Sequence, residues 1–221
     1  MRLRTKLPDN LTSNPGFRRY FVIAVFGAFL LAGSNAAIAK QGDASAFIRD
    51  LGHQAVSVLQ LHGKNLDARE KAFRKLLAEK FDLTLIGRFS LGRYWRRASA
   101  AQRRDYLNLL SDYVLQAYAS KLGGYAGEKL IVVSETALSN KKDFYVKSRI
   151  QRPSGPPIKA TWRVRVGKDG IKIIDILVEG ISMAVTQRDQ FSAVVRRNGF
   201  EGLLEVLRAR TDKMPVTTAA K

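Results

Sequence analysis

The chain has 221 residues, no cysteine, and a formal net charge of +19 from 38 Lys and Arg against 19 Asp and Glu. The length suits one domain better than two, and the lack of cysteine excludes disulfides and thiolate-based zinc or iron–sulfur sites. The positive excess points to an anionic partner, with plain solubility as the alternative.

Arg2, Arg4, Lys6, Arg18 and Arg19 precede an apolar run from Tyr20 to Ala32, and Ala37-Ile38-Ala39 follows it. This is the pattern of a secretory signal peptide. The run is shorter than the roughly 20 apolar residues that span a bilayer. We therefore expect a cleaved signal over 1–39, one domain over 40–211 and a flexible tail over 212–221. No cysteine follows the run, which excludes a lipid-anchored cysteine. Arg18-Arg19-Tyr20-Phe21 partly resembles a twin-arginine signal and leaves the export route open. An exported chain meets anionic lipid and acidic protein surfaces rather than nucleic acid.

Helical spacing comes first. Phe47, Leu51, Ala55, Val58 and Leu59 form an amphipathic stripe, and a second helix over 66–81 carries Phe73, Leu76, Leu77 and Phe81 on one side. Asp82 suits the N-cap of a short helix, Leu83 to Leu91, whose Leu83, Ile86, Phe89 and Ser90 spacing predicts the buried side and whose stop is Gly92. Arg93, Arg96 and Arg97 then surround Tyr94 and Trp95, as either a binding cluster or a solvated loop around a packed Trp. Ser99 and Gln102 make a capping box for the longest helix, which runs to about Leu122 and places Tyr106, Tyr113 and Tyr118 on its apolar stripe. Buried tyrosine hydroxyls need partners, so these rings reach the core edge or line a cavity that is not dry.

Four strands follow, over 129–138, 143–152, 158–166 and 171–183, joined by short turn-rich links that make antiparallel neighbours. Phe144, Val146, Ser148 and Ile150 alternate with Tyr145, Lys147 and Arg149, and Ile158, Ala160, Trp162, Val164 and Val166 alternate with Lys159, Thr161, Arg163 and Arg165. In the fourth strand Ile174, Ile176 and Val178 are expected on the apolar face, with Asp175 and Glu179 on the basic face pairing with Arg163, Arg165 or Arg149. Thr186 is expected to cap a helix that pauses at Asn198-Gly199 and resumes with Phe200, Leu203, Leu204 and Leu207.

A catalytic set does not emerge. Gly180-Ile181-Ser182-Met183-Ala184 lacks the second glycine of a nucleophile elbow, and His53 and His62 both precede the serine. Asp175 and Glu179 lie roughly 13 Å apart along a strand, beyond the ~5–9.5 Å of a glycosidase pair. The two histidines share no helix face and have no acidic cluster beside them, so no metal site is expected.

The stretch Asp175-Ile176-Leu177-Val178-Glu179-Gly180-Ile181-Ser182 resembles the D-V-x-V-E-G-V-S signature of the MlaC/toluene-tolerance family of periplasmic lipid-binding proteins. Phe81 to Trp95 is similar to that family's segment ending L-G-x-x-W, Tyr118-Ala119 to its helical Y-A, and Gln190-Phe191 to Leu207 to its closing E-F…G-x-x-x-L-L-x-x-L. One departure is Ile171, where many members carry Trp. The resemblance implies an α+β fold: N-terminal helices, a four-stranded antiparallel curved sheet and C-terminal helices, enclosing an apolar pocket for phospholipid acyl chains. Pocket residues are then expected to be Phe89, Leu91, Tyr113, Ala117, Tyr118, Val146, Trp162, Val164, Ile174, Ile176, Val178 and Ile181, with Arg93, Arg96 and Arg97 as a docking surface. It also implies no enzymatic activity and no cofactor, phospholipid as cargo, and shuttling between an outer-membrane lipoprotein complex and an inner-membrane ABC transporter with an MCE-domain protein. A hopanoid or other terpenoid is the alternative cargo. An enzyme using the cavity, with Asp175 turned inward as a base and a helix tyrosine as donor, is the reading from another class.

Overall fold

The structure, a computed structural model, describes residues 42–60, 66–122 and 127–211, without the side chains of 66–67 and 116–122. The expected signal and tail lie outside the described residues. Helices α1 (Asp43–Gln60), α2 (Leu66–Lys80), α3 (Leu83–Leu91), α4 (Arg93–Arg97) and α5 (Ala100–Leu122) precede strands β1 (Lys129–Ala137), β2 (Asp143–Gln151), β3 (Ile158–Gly167), β4 (Gly170–Val178) and β5 (Ile181–Ser182). Helix α6 (Met183–Thr211) closes the order, broken by non-helical Gly199. The class is α+β, with a curved antiparallel sheet in the order β1-β2-β3-β4-β5. No described helix is long and apolar enough to cross a membrane.

The sheet has five strands where four are expected, because a turn at Glu179 and Gly180 cuts the last one in two. Both residues have positive φ, 48° and 86°, the backbone of a tight hairpin turn that glycine enters without cost. Glu179 is held there by Lys159: its N–H donates to the Lys159 carbonyl and its carboxylate accepts the Lys159 N–H.

The fourth strand also departs from simple alternation. Between β3 and β4 the register slips at Arg163 and Val164, so Trp162 opposes Ile176, while Val164 opposes Ile173 and Val166 opposes Ile171. Ile174 is the extra residue of this β-bulge. Ile173, rather than Ile174, therefore continues the apolar row of Ile176 and Val178. A local cause is visible: Phe81, between α2 and α3, bridges to Ile173 in parallel, and the Asp82 N–H donates to the Ile173 carbonyl.

Two apolar clusters result. On the sheet, Phe144, Val146, Trp162, Val164 and Ile173 pack with Ile48, Leu51 and Val58 of α1 and Leu76 of α2. In the helical layer, Leu91, Tyr94, Tyr106 and Leu110 pack with Phe191, Val195, Leu203, Leu204 and Leu207 of α6. The sides of α3 follow from one close approach. A Cβ on Gly87 would sit 2.6 Å from Leu107 Cδ2, so α3 can meet α5 only through a face made by Gly87, Ser90 and Leu91. Phe89, expected on that face, is turned to solvent.

The helix starts are secured as polar groups require. Asp82 accepts the Leu85 N–H, and Ser99 and Gln102 exchange the two bonds of a capping box. Ser182, in place of the expected Thr186, caps α6: its hydroxyl oxygen accepts the Val185 N–H. The basic face is balanced by a different acid from those expected. Asp143, fully buried, accepts bonds from Arg163 and Arg165, the latter directly opposite it in register. Asp175 and Glu179 are engaged elsewhere, with the start of α6 and with Lys159.

Arg165, then Arg163, hold the Asp143 carboxyl down from 3.8 to about 2 although burial opposes this. A folded-state value below the unfolded one means stabilisation that is complete above about pH 4 and is lost as pH falls toward 2. Asp143→Ala should cost about 2 kcal/mol at neutral pH and flatten the acid limb of stability; urea midpoints against pH measure both, and an unchanged limb would assign it to other carboxylates. In the helical layer Ser90 Oγ and Tyr106 Oη are 2.8 Å apart. Ser90→Ala should cost about 1–3 kcal/mol by stranding the buried phenol, and adding Tyr106→Phe should recover part of that loss; a strictly additive double mutant would show the pair to be uncoupled.

Candidate functional site

The apolar side of the sheet can be read row by row from its register. Ala137, Phe144, Val164 and Ile173 form one row, and Glu135, Val146, Trp162 and Ile176 the next. Val132, Ser148, Ala160, Val178 and Ile181 form the third, and Leu130, Ile150 and Ile158 the fourth. Burial over these rows is uneven: Ser148 and Ala160 in the third row are as buried as the inner positions, while several apolar side chains around them are not. Phe144, Val146, Val164 and Ile173 are buried, whereas Leu130, Val132, Ile150, Ile158 and Val178 are only half-buried and Ile181 is 61 % exposed. The side chains that lose cover, Leu130, Val132, Ile150, Ile158, Val178 and Ile181, are themselves as apolar as the buried ones. Apolar area left at the surface without a polar reason marks a place where something apolar is meant to sit.

The cover that exists is fixed by specific contacts. Glu135 lies on the apolar side because the bulge at Val133 shifts the register of β1. Its carboxylate accepts the backbone N–H groups of Gly42 and Ser45, so the sheet itself caps α1. Those bonds hold the Glu135 carboxyl below its ordinary value, with burial opposing them. Seven residues after Ser45, Gly52 brings α1 close to Leu130, to within 3.2 Å of its Cβ for a Cβ built at that glycine. Inside the sheet, the Trp162 indole N–H donates to Ser148 Oγ at 2.9 Å, which satisfies the polar groups of the inner rows.

The expected pocket residues fall into separate groups. Val146, Trp162, Val164 and Ile176 share the sheet cluster, with Val178 and Ile181 extending the same face outward. Leu91 and Tyr113 belong to the helical cluster, where the Tyr113 hydroxyl accepts from Arg210. Ile174 is buried at the bulge and Phe89 is exposed. The side chains of Ala117 and Tyr118 lie outside the described residues. Two open clefts of about 290 and 250 Å³ lie on the helical layer; Phe191, Val194, Leu207 and Arg210 line the larger, and Tyr94, Arg97 and Phe200 the smaller. Neither involves the sheet rows.

Leu130, Val132, Ile150 and Ile158 are missing from the sequence-based site. Their signal is the alternation of β1 to β3 combined with hairpin register, and it becomes legible only once the bulges are located. Asp175 stands opposite Arg163, across the strand from the apolar rows. Its carboxylate accepts the Ser182 hydroxyl at 2.6 Å and the Ala184 N–H at 3.1 Å. A base turned into the cavity is therefore not available at this position, and the enzyme reading loses its central residue. Arg93, Arg96 and Arg97 form a short helix, not a loop, and all three are exposed. Arg93 bonds the Tyr94 hydroxyl, and the guanidinium groups of Arg88 and Arg103 both lie over the Trp95 ring.

Comparison with known proteins supplies the remaining evidence. The chain is similar to the intermembrane phospholipid transport system binding protein MlaC of Haemophilus influenzae, with 26% identity over 126 residues. That match covers 56% of this chain and 59% of the relative, so the chain spans less than two thirds of the relative's length. The fold is that of a phospholipid-binding protein from Ralstonia solanacearum solved with a bound phospholipid, at a TM-score of 0.70 and 22% identity, covering 77% of this chain and 97% of the other. The model of the MlaC protein family matches residues 50–209, which include all of the sheet rows and, apart from Ala44, Phe47 and Ile48, both apolar clusters. On that match the chain belongs to the MlaC family.

Proposed function

We propose that this chain is a periplasmic carrier that holds phospholipid acyl chains against the half-covered rows of its sheet and shuttles lipid between an outer-membrane lipoprotein complex and an inner-membrane ABC transporter with an MCE-domain protein. The observation that carries the reading is the incomplete cover of apolar side chains on one sheet face, from buried Val146 and Val164 to half-buried Ile158 and Val178 and exposed Ile181. The family membership and the phospholipid named for the Ralstonia neighbour support the same cargo. Each methylene withdrawn from water is worth about 0.8 kcal/mol, so sheltering part of two acyl chains gives roughly 10–20 kcal/mol. A bilayer offers a comparable gain, and loading and unloading therefore require docking rather than free exchange.

Native extraction and mass spectrometry of the purified protein should recover phospholipid. Recovery of a hopanoid instead would change the cargo, and an empty protein that takes up nothing from vesicles would end the carrier reading. Ile158→Glu and Val178→Glu place a charge on the half-covered rows and should reduce lipid uptake about tenfold or more, because a carboxylate among acyl chains is left unsolvated; a folded variant that still loads normally would move the cargo site elsewhere. Arg93, Arg96 and Arg97 are the proposed docking surface. Reversing all three to Glu should slow delivery to acceptor membranes or transporter at low salt while bound lipid stays in place, since exposed charges act within a Debye length of about 10 Å at 0.1 M salt. Unchanged transfer rates would make them a solvated face.

A further inference from the structure

Among the described residues the exposed large apolar side chains are Phe89, Ile131, Val133, Ile181, Met183 and Val185. Ile131 and Val133 belong to the edge strand β1. The other four lie around the start of α6. Ile181 follows the Glu179-Gly180 turn, Met183 and Val185 lie in the first turn of α6, and one turn further Arg188 stacks on Phe89 of α3, 5.0 Å from its ring centroid. Phe89, Met183 and Val185 are 41, 36 and 38% exposed, so each presents a large apolar surface to water.

Cations surround this patch. Arg88 and Arg93 are exposed on α3 and α4, and neither forms an ion pair among the described residues. Arg188 has only a long contact, 3.9 Å, with Asp189. The acid in the neighbouring turn, Glu179, directs its carboxylate to the Lys159 N–H.

We propose that this patch contacts the surface of an anionic lipid bilayer, with Phe89, Met183 and Val185 entering the boundary between headgroups and acyl chains and Arg88, Arg93 and Arg188 meeting lipid phosphates. An apolar patch alone would fit many partners, and an arginine collar alone would fit any acidic surface. A bilayer interface presents both chemistries in adjacent layers, and guanidinium groups on apolar stems span the two. Burial of apolar area and attraction to anionic lipid both add to interfacial binding, and the residues around the start of α6 carry both. The contact rests on the carrier reading only for its purpose: Ile181, the exposed end of the third row, would face the bilayer from which cargo enters.

The test is flotation of the full protein with vesicles of phosphatidylglycerol and phosphatidylethanolamine, and with vesicles of phosphatidylcholine alone, at low and high salt. The wild-type protein should float with the anionic vesicles and not with the neutral ones, and should keep a salt-resistant bound fraction. The triple variant Phe89→Ser, Met183→Ser, Val185→Ser should lose about tenfold or more of its vesicle affinity and the whole salt-resistant fraction, with an unchanged urea midpoint and unchanged lipid content by mass spectrometry. Wild-type protein that fails to float, a triple variant that floats like wild type, or a variant that keeps its vesicle binding but loses cargo or delivery to a transporter would each overturn the proposal; the last would assign the patch to the cargo site or to a protein partner. Lipid-free wild-type protein that still floats would instead remove the carrier reading and leave the membrane contact standing.

Discussion

Two carboxylates on the sheet decide where its covering helices begin, and most of the architecture depends on them. Glu135 receives the first free N–H groups of α1, and Asp175 receives Ala184 N–H and the Ser182 hydroxyl at the start of α6. The opening turn of a helix has donors with no intrahelical partner, and a carboxylate there gains from both hydrogen bonding and the helix dipole. For α1 the cap comes from far along the chain, whereas for α6 Asp175 reinforces the cap that Ser182, the preceding residue, already provides. Helix position thus becomes a property of sheet register: a slip in β1 or β4 would move the cap as well as the rows. The bulges at Val133 and Ile174 are what bring Glu135 to the apolar side while leaving Asp175 on the other.

The same constraint explains why the apolar face is covered unevenly. Helix α1 is fixed at Glu135 and passes close over Leu130 at Gly52, so it shields the β1 side of the sheet, while α2 reaches the sheet through Leu76 near the β4 bulge. The helical layer satisfies itself through a core of its own built on Tyr106, Leu110 and Leu204, with the Ser90–Tyr106 bond serving its buried hydroxyls. With two self-sufficient clusters, neither has to collapse onto the outer sheet rows. A dry monomeric core would bury Ile158 and Val178 as thoroughly as Val164. A lipid carrier requires the opposite: an apolar surface that stays accessible without unfolding what supports it.

Much of this was legible in the sequence, and the failures share a physical origin. Capping at Asp82 and Ser99, the break at Gly199 and the alternation of β2 and β3 depend on residues within a few positions of each other, and they appear as expected. What local spacing could not supply is anything that hangs on a bulge or on a partner distant in sequence. The side to which Ile173 and Ile174 belong is set by Phe81 docking beside β4, and the acid that balances Arg163 and Arg165 is chosen by register, not by proximity along the chain. Phe89 was misplaced for a related reason: on a helix with a glycine on one side, the closest neighbour goes to the glycine and the largest side chain goes elsewhere.

These contacts give a physical meaning to the family signature over 175–182. Asp175 anchors α6, Ile176 and Val178 supply consecutive apolar rows, and Glu179 with Gly180 makes the left-handed turn that sends the chain back as β5. Ile181 extends the third row past the edge of the covered core, and Ser182 both bonds Asp175 and caps the helix that follows. Ile176, Val178 and Ile181 face the apolar rows, while Asp175, Glu179 and Ser182 fasten the turn and the helix. The residues that would touch an acyl chain and those that fold the support are therefore interleaved in one strand-turn-strand unit, and a substitution at either kind displaces the other. A surface meant to stay uncovered in water needs a rigid frame at its rim, and here the rim is the segment in which frame and surface share a backbone.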